Sequence, residues 1–230
     1  MEKKNVHGFI LEEETNLPEL KAKTYRLTHE KTGADVLFIQ NEDKNRVFGI
    51  GFTTPQDNST GVPHIIEHCV LNGSRKYKTK EPFMDLARSS LATFLNAMTF
   101  SDKTIYPIAS RNEQDYRNLM DVYLDAVFYP GLYEDERVFR QEGWRYQITA
   151  KDEPMTYSGV VYNEMRGAYS SPLDVLYRSM EKNLFPDTHY ANDSGGDPYV
   201  IPELTYEGFK NFHKRYYSPS NGKIFFYGDL

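Results

Sequence analysis

The order of strand-like and helix-like segments is the feature that most constrains the fold of this chain. Segments rich in β-branched and aromatic residues, typical of strands, lie at 24–29, 35–40, 47–53 and 222–228. Segments with helical periodicity lie at 63–73, 81–95, 112–128, 134–143, 159–184 and 205–217. We expect the helix at 159–184 to be interrupted near 170–172, and two short strands to occupy 96–110. Because strands and helices do not alternate strictly, the sequence predicts an α+β fold with a largely antiparallel sheet.

Charge and composition narrow the class of protein. The chain has 33 acidic and 27 basic residues, a formal charge of −6, which leaves no basic footprint for nucleic acid. Cys69 is the only cysteine, so an internal disulfide and a multi-thiolate zinc site are excluded. No apolar run is long enough to span a bilayer, and residues 1–15 lack the apolar core of a signal peptide and are too acidic for a transit peptide. We therefore expect a soluble, cytoplasmic protein with no nucleic-acid or membrane partner.

The segment VPHIIEHCVLNGS, residues 62–74, brings two histidines and a glutamate close together. His64 and His68 are four residues apart, so on a helix their imidazoles lie one turn apart on the same face. Imidazole nitrogens placed in this way can bind one zinc ion at about 2.0–2.1 Å each. Glu67 flanks that face and can reach a metal-bound water, in the inverted H-x-x-E-H order. The alternative is an ordinary helix whose polar residues face water.

A catalytic zinc ion needs a third protein ligand and one position left open for water. The segment GVVYNEMRGAYSSP, residues 159–172, carries Glu164 inside an otherwise apolar helical stretch. An ionised carboxylate in such a stretch needs a partner or a metal. Glu164 is therefore a candidate ligand, although the solvated face of an amphipathic helix explains it equally well.

Several further blocks of sequence accompany these two motifs. They are SRKYKTKEPF, which continues the histidine segment, and FLNAMTFSDKTIYPIAS, YLDAVFYP and QEGWRY. Together with the two motifs, they resemble the presequence-protease-like branch of the insulinase (pitrilysin) metalloprotease family, from about residue 20 to the last residue. The resemblance implies an insulinase-family metalloprotease domain with helices on one side of its sheet. It also implies one Zn²⁺ per chain, bound by His64, His68 and Glu164, with Glu67 as the general base.

The chain departs from parts of that family in two ways. The pitrilysin and insulin-degrading branches carry a second glutamate seven residues before the zinc-binding one, and this chain has Tyr157 there. Full members of the presequence-protease branch contain four related domains in two halves. The resemblance therefore implies that residues 1–230 form a single N-terminal catalytic domain, a fragment of a larger four-domain chain.

The activity implied by the resemblance is that of a zinc-dependent endopeptidase acting on unfolded, presequence-like oligopeptides. In the family, arginine and tyrosine residues of the C-terminal half are thought to stabilise the oxyanion, so we expect little activity from these 230 residues alone. Expected partners are unfolded peptides and either the C-terminal half of the full-length protein or a second copy of the chain. The alternative is a non-catalytic homologue that serves as a structural or peptide-binding subunit. Such relatives commonly lose the ligand set, which is intact here.

The strand around residues 96–100 is a candidate for substrate binding. By resemblance, Asn96, Ala97, Met98 and Thr99 belong to an edge strand beside the zinc ion. An extended peptide can add to such an edge through main-chain hydrogen bonds, which gives affinity with little sequence preference. The alternative is an inner strand with Asn96 at a turn.

Overall fold

The strands and helices are those of a computed structural model, which describes residues 5–79 and 82–230. Its strands are β1 (Asn5–Val6), β2 (Phe9–Leu17), β3 (Ala22–His29), β4 (Asp35–Gln40), β5 (Arg46–Thr53), β6 (Ala92–Leu95), β7 (Met98–Thr99), β8 (Lys103–Ser110), β9 (Arg145–Gln147), β10 (Thr156–Ser158) and β11 (Gly222–Gly228). Its α-helices are α1 (Val62–Val70), α2 (Pro82–Ser89), α3 (Glu113–Phe128), α4 (Glu136–Glu142), α5 (Val160–Ala168), α6 (Pro172–Leu184) and α7 (Tyr206–Tyr216). Among these described helices, none is long and apolar enough to cross a membrane.

One large sheet organises the molecule, in the order β1-β2-β3-β4-β11-β5-β8-β6, and β7 also pairs with β8. Neighbouring strands run antiparallel, except that β11 runs parallel to β4. The last strand of the chain is thus inserted between β4 and β5, in the middle of the sheet. The strands β9 and β10 form a separate antiparallel pair. The predicted α+β class and the largely antiparallel sheet are confirmed.

The core lies on one face of this sheet. Along β5 the buried residues alternate, so that Phe48, Ile50 and Phe52 are buried while the residues between them stay only partly buried. These side chains join one apolar cluster with residues of α1, α3 and α7. Because the apolar side chains of β5 point to a single face, the helices pack there, as the resemblance implied.

One predicted helix differs from the observed one, and one predicted helix break is confirmed. The helix predicted at 81–95 is shorter, because α2 ends at Ser89 and 92–95 instead pairs with β8 as β6; residue 81 lies outside the described residues. Pairing with a neighbouring strand overrides the weak helical preference of this segment. The break expected near 170–172 is confirmed, because Ser171 accepts a hydrogen bond from the Asp174 N–H and Pro172 opens α6.

Candidate active site

The helix α1 carries the two histidines and the glutamate of the H-x-x-E-H motif. Pro63 lies in its first turn, and the helix buries Ile65, Ile66 and Cys69 in the core. This apolar face fixes the rotation of α1, so that His64, Glu67 and His68 lie on the half-buried side. Cys69 is fully buried, and burial raises the pKa of its thiol well above the usual value. This agrees with a packing role for Cys69.

The three predicted metal ligands lie together. Glu164, on α5, places its Oε2 at 3.7 Å from His64 Nε2 and at 3.9 Å from His68 Nε2. One ligand atom from each residue lies within 4.8 Å of the others. Ligands bound at zinc–donor distances of about 2.0–2.2 Å in a tetrahedron are about 3.3–3.6 Å apart, so small side-chain movements would accommodate the ion. Two imidazoles and one carboxylate also match the donor set of a catalytic zinc site.

Each histidine is oriented by the nitrogen that faces away from Glu164. The Nδ1 of His64 lies 3.2 Å from the carbonyl oxygen of Gly195, and the Nδ1 of His68 lies 3.3 Å from Oε2 of Glu142. A carbonyl oxygen only accepts hydrogen bonds, so Nδ1 of His64 carries the hydrogen. The Nε2 lone pair of that ring is then available to a metal. The residues present therefore fit a zinc ion.

Carboxylates dominate the electrostatics of the site. Burial lowers the pKa of His68, but the hydrogen bond to Glu142 and the charges of Glu67, Glu142 and Glu164 outweigh it, so the pKa lies above its usual value. Burial raises the pKa of Glu142, and its hydrogen bond and attraction to His68 outweigh this and hold the pKa below its usual value. A concentration of negative charge around two imidazoles favours a bound cation.

A close contact between two glycine-containing segments brings Gly195 to His64. Gly61 has a φ of +67°, in the left-handed region, and a Cβ at this position would lie 2.6 Å from the Gly195 carbonyl oxygen. Only glycine combines this backbone conformation with so close an approach. The loop 192–198, which carries no motif of its own, is thereby placed against the start of α1.

Glu67 contacts the candidate substrate-binding strand. The hydroxyl of Thr99 donates a hydrogen bond of 2.6 Å to Oε2 of Glu67. The strands β6 and β7 lie one after the other along the same side of β8, and among the described strands each of them pairs only with β8. Met98 and Thr99 therefore lie at an edge of the sheet, next to the proposed base.

The residues between β6 and β7 face a cavity beside α1. Asn96 donates its N–H to the Pro107 carbonyl and accepts a hydrogen bond from the Tyr123 hydroxyl at its own carbonyl. Asn96 and Ala97 line a cavity of about 540 Å³ together with Glu67 and His68. Its wall also contains the apolar side chains of Leu71, Phe83, Met84 and Val160.

Two contacts of the site were not found from the sequence. Glu142 lies in the block QEGWRY, but nothing in its spacing connects it with His68, 74 positions away. Gly195 takes part through its backbone, for which side-chain identity gives no signal.

Tyr157, at the position where other branches carry a second glutamate, is 39% exposed and packs with Trp144, Tyr146 and Tyr162.

Curated relatives resemble nearly the whole chain. Protein HypA of Clostridium perfringens is 60% identical over 222 residues, which are 96% of this chain and 23% of that protein. Presequence protease 1, chloroplastic/mitochondrial, of Arabidopsis thaliana is 53% identical over 96% of this chain and 21% of its own length. The mitochondrial presequence protease of Mus musculus is 46% identical over 98% and 22%, respectively. The chain thus spans less than a quarter of the length of these relatives.

The names of these relatives correct one prediction. The presequence proteases of Arabidopsis thaliana and Mus musculus are described as chloroplastic or mitochondrial. The cytoplasmic location predicted from the sequence is therefore wrong. That prediction rested on the absence of a bilayer-spanning apolar run and on the composition of residues 1–15, the first four of which lie outside the described residues. Neither property determines a compartment.

Solved structures and the family profile agree on the fold. Pitrilysin has a TM-score of 0.69 at 18% identity over 91% of this chain and 21% of its own. A protease from Helicobacter pylori has a TM-score of 0.73 at 22% identity over 91% of this chain and 47% of its own. At these identities the likeness shows the fold alone. The profile of the family described as "Insulinase (Peptidase family M16)" matches residues 47–177, which include α1 and α5. The chain belongs to the insulinase family, peptidase family M16, and its curated relatives include presequence proteases.

Proposed function

We propose that this chain is the zinc-binding catalytic domain of an endopeptidase that hydrolyses unfolded peptides. The observation that carries the proposal is the convergence of His64, His68 and Glu164 beside Glu67. Membership of the M16 family and the presequence protease relatives support peptidase function in general. The intact ligand set favours a peptidase over a non-catalytic, peptide-binding homologue.

The chemistry follows from the donor set. A zinc ion held by the two imidazoles and the carboxylate would lower the pKa of a bound water towards about 7 and polarise the scissile carbonyl. Glu67 would accept the proton of the attacking water at its carboxylate and pass it to the departing amine. The Thr99 hydroxyl holds one oxygen of this carboxylate, so the side chain is already oriented before substrate binds.

Peptide binding is proposed at the edge formed by Asn96, Ala97, Met98 and Thr99. Because β7 lies at the edge of the sheet, an extended peptide could pair with its main chain next to Glu67. Such pairing requires a substrate without stable secondary structure of its own, which is why unfolded peptides are the proposed class. The cavity next to Glu67 and His68 could hold one apolar side chain of that peptide.

We also propose that this domain acts together with further protein segments. More than three quarters of the length of each relative lies outside the region that matches this chain. We propose that segments corresponding to those regions, or a second copy of the chain, complete the peptide-binding site. Cleavage should therefore be measured with a protein that carries such segments, whereas metal binding can be measured with this chain.

The test separates metal binding from catalysis. Zinc uptake is measured after chelation and dialysis for wild type, Glu67→Gln and His68→Ala, and cleavage is measured with an unstructured peptide. We expect Glu67→Gln to keep its zinc and to lose about 10²–10⁴ in cleavage rate, because the amide cannot accept the proton. His68→Ala should lose zinc. Absence of zinc from the wild type would contradict the proposed metal centre, and near wild-type cleavage by Glu67→Gln would exclude Glu67 as the base.

A further inference from the structure

Glu142 is a buried carboxylate with an unusual partner. It lies at the end of α4 and is only 6% exposed. Its Oε2 lies 3.3 Å from Nδ1 of His68, and its Oε1 accepts a hydrogen bond from the Gln141 side chain at 3.0 Å. Burying an ionised carboxylate is costly unless charge-assisted hydrogen bonds compensate it. The burial of the Glu142 carboxylate next to His68, a proposed metal ligand, therefore needs an explanation.

The two histidines differ in the group that contacts their Nδ1 atoms. His64 has a neutral backbone carbonyl, that of Gly195, at its Nδ1, whereas His68 has the carboxylate of Glu142. A carboxylate at Nδ1 holds the hydrogen on that nitrogen, keeps the ring in one orientation and increases the electron density at Nε2. The Nε2 of His68 is the atom that faces Glu164, at 3.9 Å.

Tyr157, seven residues before Glu164, cannot orient His68 in this way. Tyr157 lies among aromatic side chains and carries no carboxylate. Glu142 reaches the site from a different element, because α4, which ends at Glu142, contacts both α1 and α5. The carboxylate that faces Nδ1 of His68 thus comes from α4 and not from the segment that leads into Glu164.

We propose that Glu142 is a positioning residue for the metal centre: it fixes the tautomer and orientation of His68 so that Nε2 faces the metal. This proposal rests on the proposed zinc site. It concerns a residue that would not touch the metal, the substrate or the attacking water, and that acts through His68 alone. A purely structural role, in which Glu142 only stabilises the end of α4, is the competing explanation.

Zinc affinity distinguishes the two roles. Zn²⁺ is titrated against a fluorescent chelator in wild type, Glu142→Gln and Glu142→Ala, with folding checked by circular dichroism and thermal unfolding. We expect Glu142→Ala to weaken zinc binding about 10- to 100-fold, as is typical for partners of ligand histidines. Glu142→Gln should have an intermediate affinity, because its amide oxygen still accepts a hydrogen bond but carries no charge.

Asp125 offers a matched control. It is a buried carboxylate, 3% exposed, whose partners Arg75 and Lys76 are not ligands of the proposed site. Asp125→Asn should lower the thermal stability and leave the zinc affinity within about twofold, because it removes a buried charge without touching a ligand. Equal losses of zinc affinity in Asp125→Asn and Glu142→Ala would mean that general destabilisation is the cause, and would overturn the proposal.

A second measurement does not depend on a variant that folds. In the zinc-free wild type, at a pH where the imidazole is neutral, long-range ¹H–¹⁵N spectra report which nitrogen of His68 carries the hydrogen. We expect the hydrogen on Nδ1. A hydrogen on Nε2, or unchanged zinc affinity in a folded Glu142→Ala, would overturn the role of Glu142 and leave the zinc site standing. Absence of zinc binding by the wild type would instead overturn the proposed function itself.

Discussion

At the scale of single residues, the contact between Thr99 and Glu67 shows how the proposed base is held. Thr99 Oγ1 donates to Glu67 Oε2 at 2.6 Å, across the gap between β7 and α1. A charge-assisted bond of this length restricts the rotamers of the glutamate and keeps one of its oxygens engaged. Proton transfer benefits when the base is already in place, because little reorganisation is then needed.

Removal of this hydroxyl should slow catalysis without disturbing the metal. Thr99→Val has nearly the same shape, so we expect the fold and the zinc affinity to stay unchanged. A hydrogen bond to a charged group contributes about 1.5–3 kcal/mol, so loss of part of this orientation should reduce cleavage of an unstructured peptide about tenfold. The measurement is the cleavage rate at fixed zinc content.

Thr99→Ser is the matched control, because it keeps the hydroxyl and loses only a methyl group. We expect it to retain most of the cleavage rate. If Thr99→Val cleaved as fast as Thr99→Ser, the hydrogen bond would have no part in orienting Glu67.

At the scale of elements, two glycines allow α4 and α5 to approach α1. Gly143 ends α4, Gly159 precedes α5, and a Cβ at Gly159 would lie 2.1 Å from the Gly143 carbonyl oxygen. The same carbonyl accepts the N–H of Tyr162 in the first turn of α5. Since α4 carries Glu142 and α5 carries Glu164, this glycine contact sets how both carboxylates meet the histidines.

An added methyl group at this contact should therefore disturb the site. For Gly159→Ala we expect a loss of about 1–3 kcal/mol in the free energy of unfolding, because the methyl group overlaps backbone atoms that cannot move freely. We also expect weaker zinc binding, since α5 would be displaced from α1. Urea denaturation and zinc titration measure the two effects.

Gly167→Ala is the control within the same helix. Apart from its chain neighbours and the backbone of its own helix, no atom of the described residues lies within 4 Å of a Cβ at Gly167, which is in the helical part of α5. Alanine is favoured over glycine in helices by about 0.5–1 kcal/mol, so this variant should be neutral or slightly stabilised. A Gly159→Ala protein as stable as Gly167→Ala would contradict the close packing of α4 and α5.

At the scale of the whole molecule, His213 links elements that are far apart in the sequence. Its Nε2 donates to the Val127 carbonyl of α3 at 3.0 Å, and its Nδ1 accepts from the Tyr133 hydroxyl at 2.6 Å. The side chain is 3% exposed, and burial lowers its pKa to about 4. The ring is therefore neutral in the folded protein at neutral pH.

This histidine should make the unfolding free energy depend on pH. In the unfolded chain its pKa is about 6.5, so between pH 6.5 and pH 4 the unfolded state binds a proton that the folded state does not. The contribution is fully present above pH 6.5 and is lost as the pH falls towards 4, with about 2 kcal/mol lost by pH 5. Urea denaturation at pH 7.5 and pH 5 measures the loss.

The variant His213→Gln separates the contribution of His213 to the free energy of unfolding from the contributions of other titrating groups. It should be less stable than the wild type at pH 7.5, but the difference between the two proteins should shrink by about 2 kcal/mol at pH 5. A difference that is the same at both pH values would show that the folded protein takes up a proton on His213 as readily as the unfolded chain does.

Local patterns in the sequence account for the features that depend on neighbouring residues. Helical spacing places His64 and His68 on one face of α1, because four residues make about one turn. The Ser171-Pro172 pair predicts the break between α5 and α6, since capping acts within a few residues. The α+β class also followed from the order of the segments. The apolar stretch around Glu164 made it a candidate ligand, and the resemblance to the family favoured that interpretation over a solvated helix face.

Tertiary structure alone decided the rest. The pairing of 92–95 as a strand, the insertion of β11 between β4 and β5, and the contact of Glu67 with Thr99 depend on segments that meet only in the folded chain. Glu142 and Gly195 reach the histidines from 74 and 131 positions away. No local pattern encodes such distances, because the packing of whole elements and the close approaches of glycines fix which groups become neighbours.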